Sequence, residues 1–225
     1  DNPNKKGTAS LVASLMDEGT KTKTPAQLEE AIDLLGSSIS ISAGLESIGI
    51  SGNSLAKNLD ATLELVNEIL TEPRWDTEAF EIAKTRRLAS IQQTKGNPQS
   101  LAFNALNKQL YGEGHPSSVP LGGTIESVES ITLDDLKEYF EQNISPKVAH
   151  FHIVGDINQD ESLKALKSFN EKWNGTGVEL PIVEMVNTPS KPTVYFIDIP
   201  DAKQSAITVG TLTVPGTNPL LYQLN

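Results

Sequence analysis

The chain has 225 residues, of which 37% are hydrophobic and 21% charged, a composition that supports one substantial buried core. Its formal net charge is -11, which argues against nucleic acid and anionic membranes as partners, because both would repel it at long range. The chain contains no cysteine, so disulfides and thiolate metal sites are excluded.

The N-terminal sequence DNPNKKG has neither an initiator Met nor the apolar stretch of a signal peptide. We therefore expect the chain to be a piece of a longer protein, with any targeting information outside it. No apolar run is long enough to form a transmembrane helix.

Helical and strand patterns alternate along the chain. Thr24, Asp76 and Thr132 stand where N-caps are expected, each directly before a segment with apolar residues at helical spacing. Period-two alternation predicts a hairpin between residues 39–41 and 48–50. The helices predicted in chain order are 6–17, 25–35, 56–71, 76–95, 98–111, 124–130, 132–143 and 159–173, and a further strand is predicted at 147–157.

This mixture predicts an α+β fold with a two-layer arrangement, in which helices pack on one face of an antiparallel sheet. Residues 1–175 are interpreted as one domain. Residues 176–192 are rich in Gly, Pro, Thr and Asn and are interpreted as a linker. Residues 193–225 are predicted to begin a second domain, with strands at 193–200 and 205–214 and the start of a helix at the C-terminal end.

The chain contains three histidines, which are His115, His150 and His152. None lies four residues from another, so a zinc site built from them is disfavoured. His115 is interpreted as a turn residue or a domain contact, and His150 and His152 as packing or surface residues. An unrelated hydrolase that uses His115 or His150 with Asp156 is the least favoured hypothesis.

The order of these elements resembles the pitrilysin or insulinase type of inverzincin peptidase, whose relatives include the mitochondrial processing peptidase. The resemblance covers nearly the whole chain and starts with KKGTASLVASLMDEGT. Its most specific part is 110–156, which contains LYGEGHPSSVPLGGTIESVES, then TLDDLKEYFEQN, and finally HFHIVGD. Each motif is weak alone, but their order and spacing together are specific.

In active members of that family, the first helix carries His-x-x-Glu-His, which provides two zinc ligands and the general base. With Gly7 and the Gly-Thr pair at 19–20 as anchors, these positions correspond to Ser10, Ala13 and Ser14. The third ligand, a glutamate on a later helix, corresponds to Ser90 or Ala89. The resemblance therefore implies a degenerate metal site with no catalytic residue and no cofactor in this chain.

Peptidases of this family consist of two homologous halves that close around a peptide, and only one half binds zinc. The resemblance implies that this chain belongs to the non-catalytic half, which supplies chamber wall and encloses the peptide substrate. Its expected partner is a zinc-bearing half on the same chain or on another subunit, and its expected location is the bacterial periplasm or cell envelope. The alternative is a non-proteolytic scaffold or complex subunit derived from the same family.

Overall fold

The computed structural model describes residues 3–173, 191–200 and 202–215, together with positions 178, 186, 218 and 219. None of the helices in these described regions is both long and apolar enough to cross a membrane. The helices are α1 (Thr8–Met16), α2 (Pro25–Leu34), α3 (Leu59–Thr71), α4 (Thr77–Lys95), α5 (Pro98–Tyr111), α6 (Ile125–Ser130), α7 (Leu133–Asn143) and α8 (Gln159–Lys172). The strands are β1 (Ser38–Ala43) and β2 (Ile48–Asn53).

The predicted N-caps are confirmed. The side chain of Thr24 accepts a hydrogen bond from the Gln27 backbone N–H, and Asp76 accepts from the first turn of α4. Thr132 and Asp135 form a reciprocal capping box at the start of α7. These local bonds satisfy N–H groups that have no partner inside the helix, which is why each helix begins where it does.

The two strands form an antiparallel hairpin with opposite faces of different chemistry. Ile41 pairs with Ile50 and faces the core, whereas the neighbouring pair, Ser40 and Ser51, faces outward. The hydroxyl groups of Ser40 and Ser51 lie 3.1 Å apart. Because successive side chains alternate between faces, the sequence SISIS places isoleucine inside and serine outside.

Helix α1 lies at the centre of the described body. Every residue of α1 except Ser14 is buried, and the helix packs against β1, α4 and α7. Four of its own side chains are fully buried, namely Leu11, Val12, Leu15 and Met16, and the fully buried side chains contributed by the elements around it include Ile69, Val128, Ile131 and Leu136. The core therefore encloses α1 and does not lie along one face of it.

Two lysines fasten the corner between α6 and α7. The Lys84 ammonium on α4 donates to the carbonyls of Glu129 and Ile131, at 2.8 and 2.7 Å. The Lys5 ammonium donates to the carbonyl of Ser130 and pairs with Asp135. Positive charges at a helix C-terminus satisfy its free carbonyls, so these contacts hold α6 against α4 and the N-terminal segment.

Glu68 on α3 fastens the loop between α1 and α2. Its carboxylate accepts hydrogen bonds from Thr20, Thr22 and Lys23. Desolvation alone would raise the pKa of Glu68, but the hydrogen bonds from Lys23, Thr20 and Thr22 outweigh it and hold the pKa below its ordinary value of 4.5. The charged form of Glu68 is therefore favoured by folding.

The predicted α+β class is confirmed in its coarse form, as a mostly helical body with a small two-stranded sheet in the described regions. The strand predicted at 147–157 is wrong. Residues Pro146–Val148 form a 3-10 turn, and the residues after it make no ladder with another described segment. A strand requires a hydrogen-bonded neighbour, which sequence alternation alone does not supply.

The second half of the predicted domain plan is only partly covered by the described residues. Most of the linker 176–192 and of the helix start at 218–225 lies outside them. Residues 193–200 and 205–214 are all described, and they are not paired as strands with any described segment. The domain boundaries accordingly remain predictions.

Leu15→Ala should lower the free energy of unfolding by about 2–5 kcal/mol, because Leu15 is fully buried in α1 and its truncation leaves a cavity in the core. Leu34→Ala is the matched control, since Leu34 is 79% exposed. It should change stability by less than about 0.5 kcal/mol. Urea denaturation followed by circular dichroism measures both. Equal losses in the two variants would contradict the central position of α1.

Glu68→Gln should make the free energy of unfolding depend less steeply on pH at acidic pH. Since the folded pKa of Glu68 is depressed, its contribution is present above about pH 4.5 and is lost as the pH falls through the folded value. The free energy of unfolding of the wild type should therefore fall more steeply than that of Glu68→Gln as the pH is lowered in this range. Glu46→Gln, at an exposed position in the hairpin turn, is the control and should follow the wild type. Denaturation series at successive pH values decide this, and parallel curves for all three proteins would refute it.

Candidate functional site

The three degenerate-site positions on α1 differ in their exposure. Ser10 and Ala13 are buried, at 7% and 4% exposure, whereas Ser14 is exposed. The Ser14 hydroxyl donates to the carbonyl of Ser10 one turn earlier, at 3.0 Å. Ser10 and Ser14 therefore share one helix face, as their spacing of four predicts.

The loop that contains Leu121, Gly122 and Gly123 lies directly on the start of α1. The Ser10 hydroxyl donates to the Leu121 carbonyl at 3.4 Å, and the Ser127 hydroxyl donates to the Lys6 carbonyl at 2.8 Å. Gly123 has a φ of +83°, and a Cβ there would collide with the Lys6 carbonyl. Glycine is required at 123 because the two backbone segments approach too closely for a side chain.

The fourth position lies on α4, which packs against α1. Both Ala89 and Ser90 are exposed there. The carbonyl of Ser90 accepts a hydrogen bond from the Thr94 hydroxyl at 2.9 Å. Packing of α1 on α4 brings the two helices that carry the four positions into one neighbourhood.

These residues do not fit a zinc ion. Zinc in proteins is held by thiolate, imidazole or carboxylate groups, whereas the four positions offer neutral hydroxyls and a methyl group. Ala13 has no group that accepts a proton, so it cannot act as a general base. Elsewhere in the described part of the chain, no three His, Asp or Glu side chains come together as a metal cluster.

Two ionisable groups flank α1 in unfavourable positions. Burial lowers the pKa of the Lys6 ammonium, which precedes the helix, and burial raises the pKa of the Asp17 carboxyl, which caps its C-terminus. A cation before the N-terminus and an anion after the C-terminus oppose the helix dipole. The charges at both ends of α1 thus depart from the arrangement that stabilises a helix.

The three histidines lie in a turn and on the exposed surface. His115 caps the 3-10 turn Pro116–Ser118, and its Nδ1 accepts from the Ser117 N–H at 3.0 Å. Its ring stacks on Tyr111 with centroids 4.8 Å apart, so the predicted turn role of His115 is confirmed. His150 and His152 are exposed, and among the described residues no hydrogen bond joins His115 or His150 to Asp156. The alternative hydrolase therefore gains no support.

One residue of this neighbourhood escaped the sequence reasoning. Arg87 on α4 lies over the backbone of Gly122, with its Nη1 2.9 Å from the position that a Cβ on Gly122 would occupy. A signal was available, because Arg87 follows Phe80 by seven residues and precedes Ile91 by four, on the apolar stripe of α4. An arginine on such a stripe is unusual, so Arg87 is a candidate functional residue.

Comparison with known proteins places the chain among peptidase sequences. The family model described as Insulinase (Peptidase family M16) matches residues 1–123, and the model described as Peptidase M16 inactive domain matches residues 130–225. Helices α1 and α7 lie on opposite sides of the division between the two models and pack together. The division therefore falls inside one packed body.

The relatives come from bacteria and from mitochondria. The non-peptidase homolog YmxG of Helicobacter pylori is 28% identical over 193 residues, which cover 85% of this chain and 44% of that protein. The mitochondrial-processing peptidase subunit beta of Caenorhabditis elegans is 24% identical over 202 residues, which cover 89% and 43%. The crystal structure of a peptidase M16 inactive domain from Pseudomonas fluorescens has a similar fold, with a TM-score of 0.75 at 23% identity, over 83% of this chain and 45% of that one. The chain spans less than half the length of each of these proteins.

Restoring the ligands should restore weak zinc binding. The variant Ser10→His, Ala13→Glu, Ser14→His, Ser90→Glu should take up zinc, because α1 and α4 already pack against each other. The same variant with Ser14→Gln lacks one imidazole and is the control. Equilibrium dialysis with metal analysis compares them with the wild type, which should retain no stoichiometric zinc. A folded quadruple variant without uptake, also in its Ala89→Glu version, would show that the helix register is wrong.

Proposed function

Because the chain belongs to the insulinase family of peptidases, family M16, we propose that it is part of the non-catalytic half of a pitrilysin-type zinc endopeptidase. The carrying observation is the residue set at the metal positions, Ser10, Ala13, Ser14 and Ser90, which offers neither zinc ligands nor a general base. The chain therefore contributes binding and enclosure, and the chemistry takes place on a zinc-bearing half elsewhere.

The hairpin provides a surface suited to a chamber wall. Its outward face carries Ser38, Ser40, Ser51 and Asn53, which are small, polar and uncharged. Such side chains form hydrogen bonds with a peptide backbone without selecting particular side chains. The opposite face packs on the core, so the wall is held rigidly. A wall of this kind supports enclosure of peptides of varied sequence.

For the complete protein, we propose a two-layer fold in which helices pack on one face of an antiparallel sheet larger than the hairpin. Val194, Phe196, Ile207 and Val209 are 83–93% exposed, and Val154 is 100% exposed. Exposed apolar residues in such numbers indicate surfaces that are covered in the functional state. Pairing of these segments as strands, with the linker at 176–192 before the second domain, would bury them.

The proposed partner is a zinc-bearing homologous half, on the same chain or on a second subunit, and the proposed ligand is a peptide. Closing two halves around a peptide increases affinity because the second contact becomes intramolecular. The net charge of -11 favours basic peptides at low salt. The relative from Caenorhabditis elegans is itself named as a subunit, which supports an assembly of more than one chain.

A second candidate function is a scaffold without proteolytic activity. It is favoured by the name of the Helicobacter pylori relative, a non-peptidase homolog. The two candidates differ in whether a partner that carries His-x-x-Glu-His exists in the same complex. Purification of the complete protein with its partners, followed by zinc analysis and a peptide-cleavage assay, separates them.

Peptide binding should depend on assembly. The chain alone should bind an unstructured basic peptide weakly. It offers only part of the enclosing surface, so its contacts barely compensate for the entropy that is lost on association. The complete protein with its zinc-bearing half should bind the same peptide much more tightly, and better than an acidic peptide of equal length. This preference should fade as salt is raised, because screening weakens long-range attraction.

Fluorescence anisotropy with labelled peptides measures both affinities at low and high salt. Tight binding by the chain alone would indicate a self-sufficient peptide-binding module. Unchanged affinity after assembly would remove the reason for assigning the chain to one half of a peptidase.

A further inference from the structure

Arg87 occupies a position on α4 where an apolar residue is expected. It lies on the stripe that includes Phe80, which is 3% exposed, and Ile91, which packs against the core. Arginine is rarely placed on such a stripe unless its charge has a partner. The position is half-buried, so the guanidinium is partly removed from water.

The side chain of Arg87 lies close to the backbone of Gly122. Its Nη1 is 2.9 Å and its Cζ and Cδ are each 3.4 Å from the position that a Cβ on Gly122 would occupy. Any other residue at 122 would displace this side chain. The preceding residue, Leu121, accepts the hydrogen bond from Ser10, so Arg87 stands next to the degenerate site of α1.

The charge of Arg87 has no counterpart among the described residues. The ion pairs found there involve Lys5, Lys23, Arg74, Lys108, Lys137 and Lys172. Arg87 takes part in none of these pairs, although the chain carries 29 acidic and only 18 basic residues. Within the described part of the chain, the Arg87 guanidinium therefore has no ion-pair partner beside the predicted degenerate site.

Two exposed serines lie on the packed pair of helices α1 and α4, of which α4 carries Arg87. Ser90 follows Arg87 by one helical turn on α4 and is exposed. Ser14 is exposed on α1, which packs against α4. A guanidinium fork binds a carboxylate through two parallel hydrogen bonds, and the Ser90 hydroxyl is a candidate for a further donor to its oxygens, whereas the Ser14 hydroxyl already donates to the Ser10 carbonyl.

We propose that the degenerate metal site is a carboxylate-binding site in which Arg87 pairs with a carboxylate of an enclosed peptide, either its C-terminus or an acidic side chain. This inference rests on the proposed peptide-enclosing function and adds a chemical group to it. The acidic surface attracts a basic peptide at long range, whereas Arg87 contacts one carboxylate at short range. The site replaces a metal cation with a fixed organic cation at the same place in the fold.

The test compares Arg87→Gln with Arg86→Gln, since the two changes remove the same charge from adjacent positions and Arg86 is exposed. The probes are one basic hexapeptide with a free C-terminus, the same peptide amidated, and the amidated peptide with a single internal Glu. In the wild-type chain, one of the two carboxylate peptides should bind roughly tenfold more tightly than the amidated peptide, as expected for charge-assisted hydrogen bonds. The peptide that binds more tightly shows whether the bound carboxylate is the C-terminus or an acidic side chain.

Arg87→Gln should abolish the gain, and Arg86→Gln should keep it within about twofold, because exposed charges contribute little to a short-range contact. Nuclear magnetic resonance provides a second readout, in which the Arg87 Nε–Hε signal of the wild-type chain shifts on addition of the carboxylate peptide. Equal affinities of all three peptides, or equal losses in the two variants, would overturn the site.

The proposed function is tested separately by the amidated peptide. If that peptide gains affinity on assembly of the complete protein while the carboxylate effect is absent, the enclosure stands and the carboxylate site fails. If the carboxylate effect is present in the chain but no peptide gains affinity on assembly, the site stands and the enclosure fails.

Discussion

Burial of α1 on almost every side is the constraint on which the rest of the structure depends. A helix enclosed by α4, α7 and β1 needs small residues wherever a neighbouring backbone approaches, and Ala9, Ser10 and Ala13 meet that need. The Gly122–Gly123 loop can lie on the start of the helix for the same reason. These small side chains allow close packing around the helix, and two of them, Ser10 and Ala13, are also predicted metal-site positions.

The hydroxyl groups on α1 form hydrogen bonds within the protein. Ser10 bonds to Leu121, Ser14 bonds to Ser10, and the nearby corner of α6 and α7 is held by Lys5 and Lys84. These are hydrogen bonds to backbone carbonyls, so they fix geometry and do not activate a nucleophile.

The apolar residues exposed beyond α8 have a different meaning from those in the core. Their exposure, which reaches 92–93% at Val194 and Val209, cannot be explained by packing inside the described body. The chain aligns with less than half the length of the relatives that it matches, and the proposed burial of these segments against a further domain would account for their exposure.

Local patterns in the sequence determined the helices, their caps and the hairpin. Thr24, Asp76 and Thr132 cap helices because their bonds reach only three residues along the chain, and Ile41 and Ile50 face inward because strands alternate every second residue. Motif order likewise identified the family, whereas the assignment of Ser10, Ala13 and Ser14 to its metal positions stays a prediction. Tertiary structure decided the outcomes that depend on distant neighbours. It left 147–157 without a strand partner among the described segments, because a strand requires a neighbour from elsewhere in the chain. It also brought Arg87 against Gly122, because contacts between residues 35 positions apart arise only when α4 and the loop pack together.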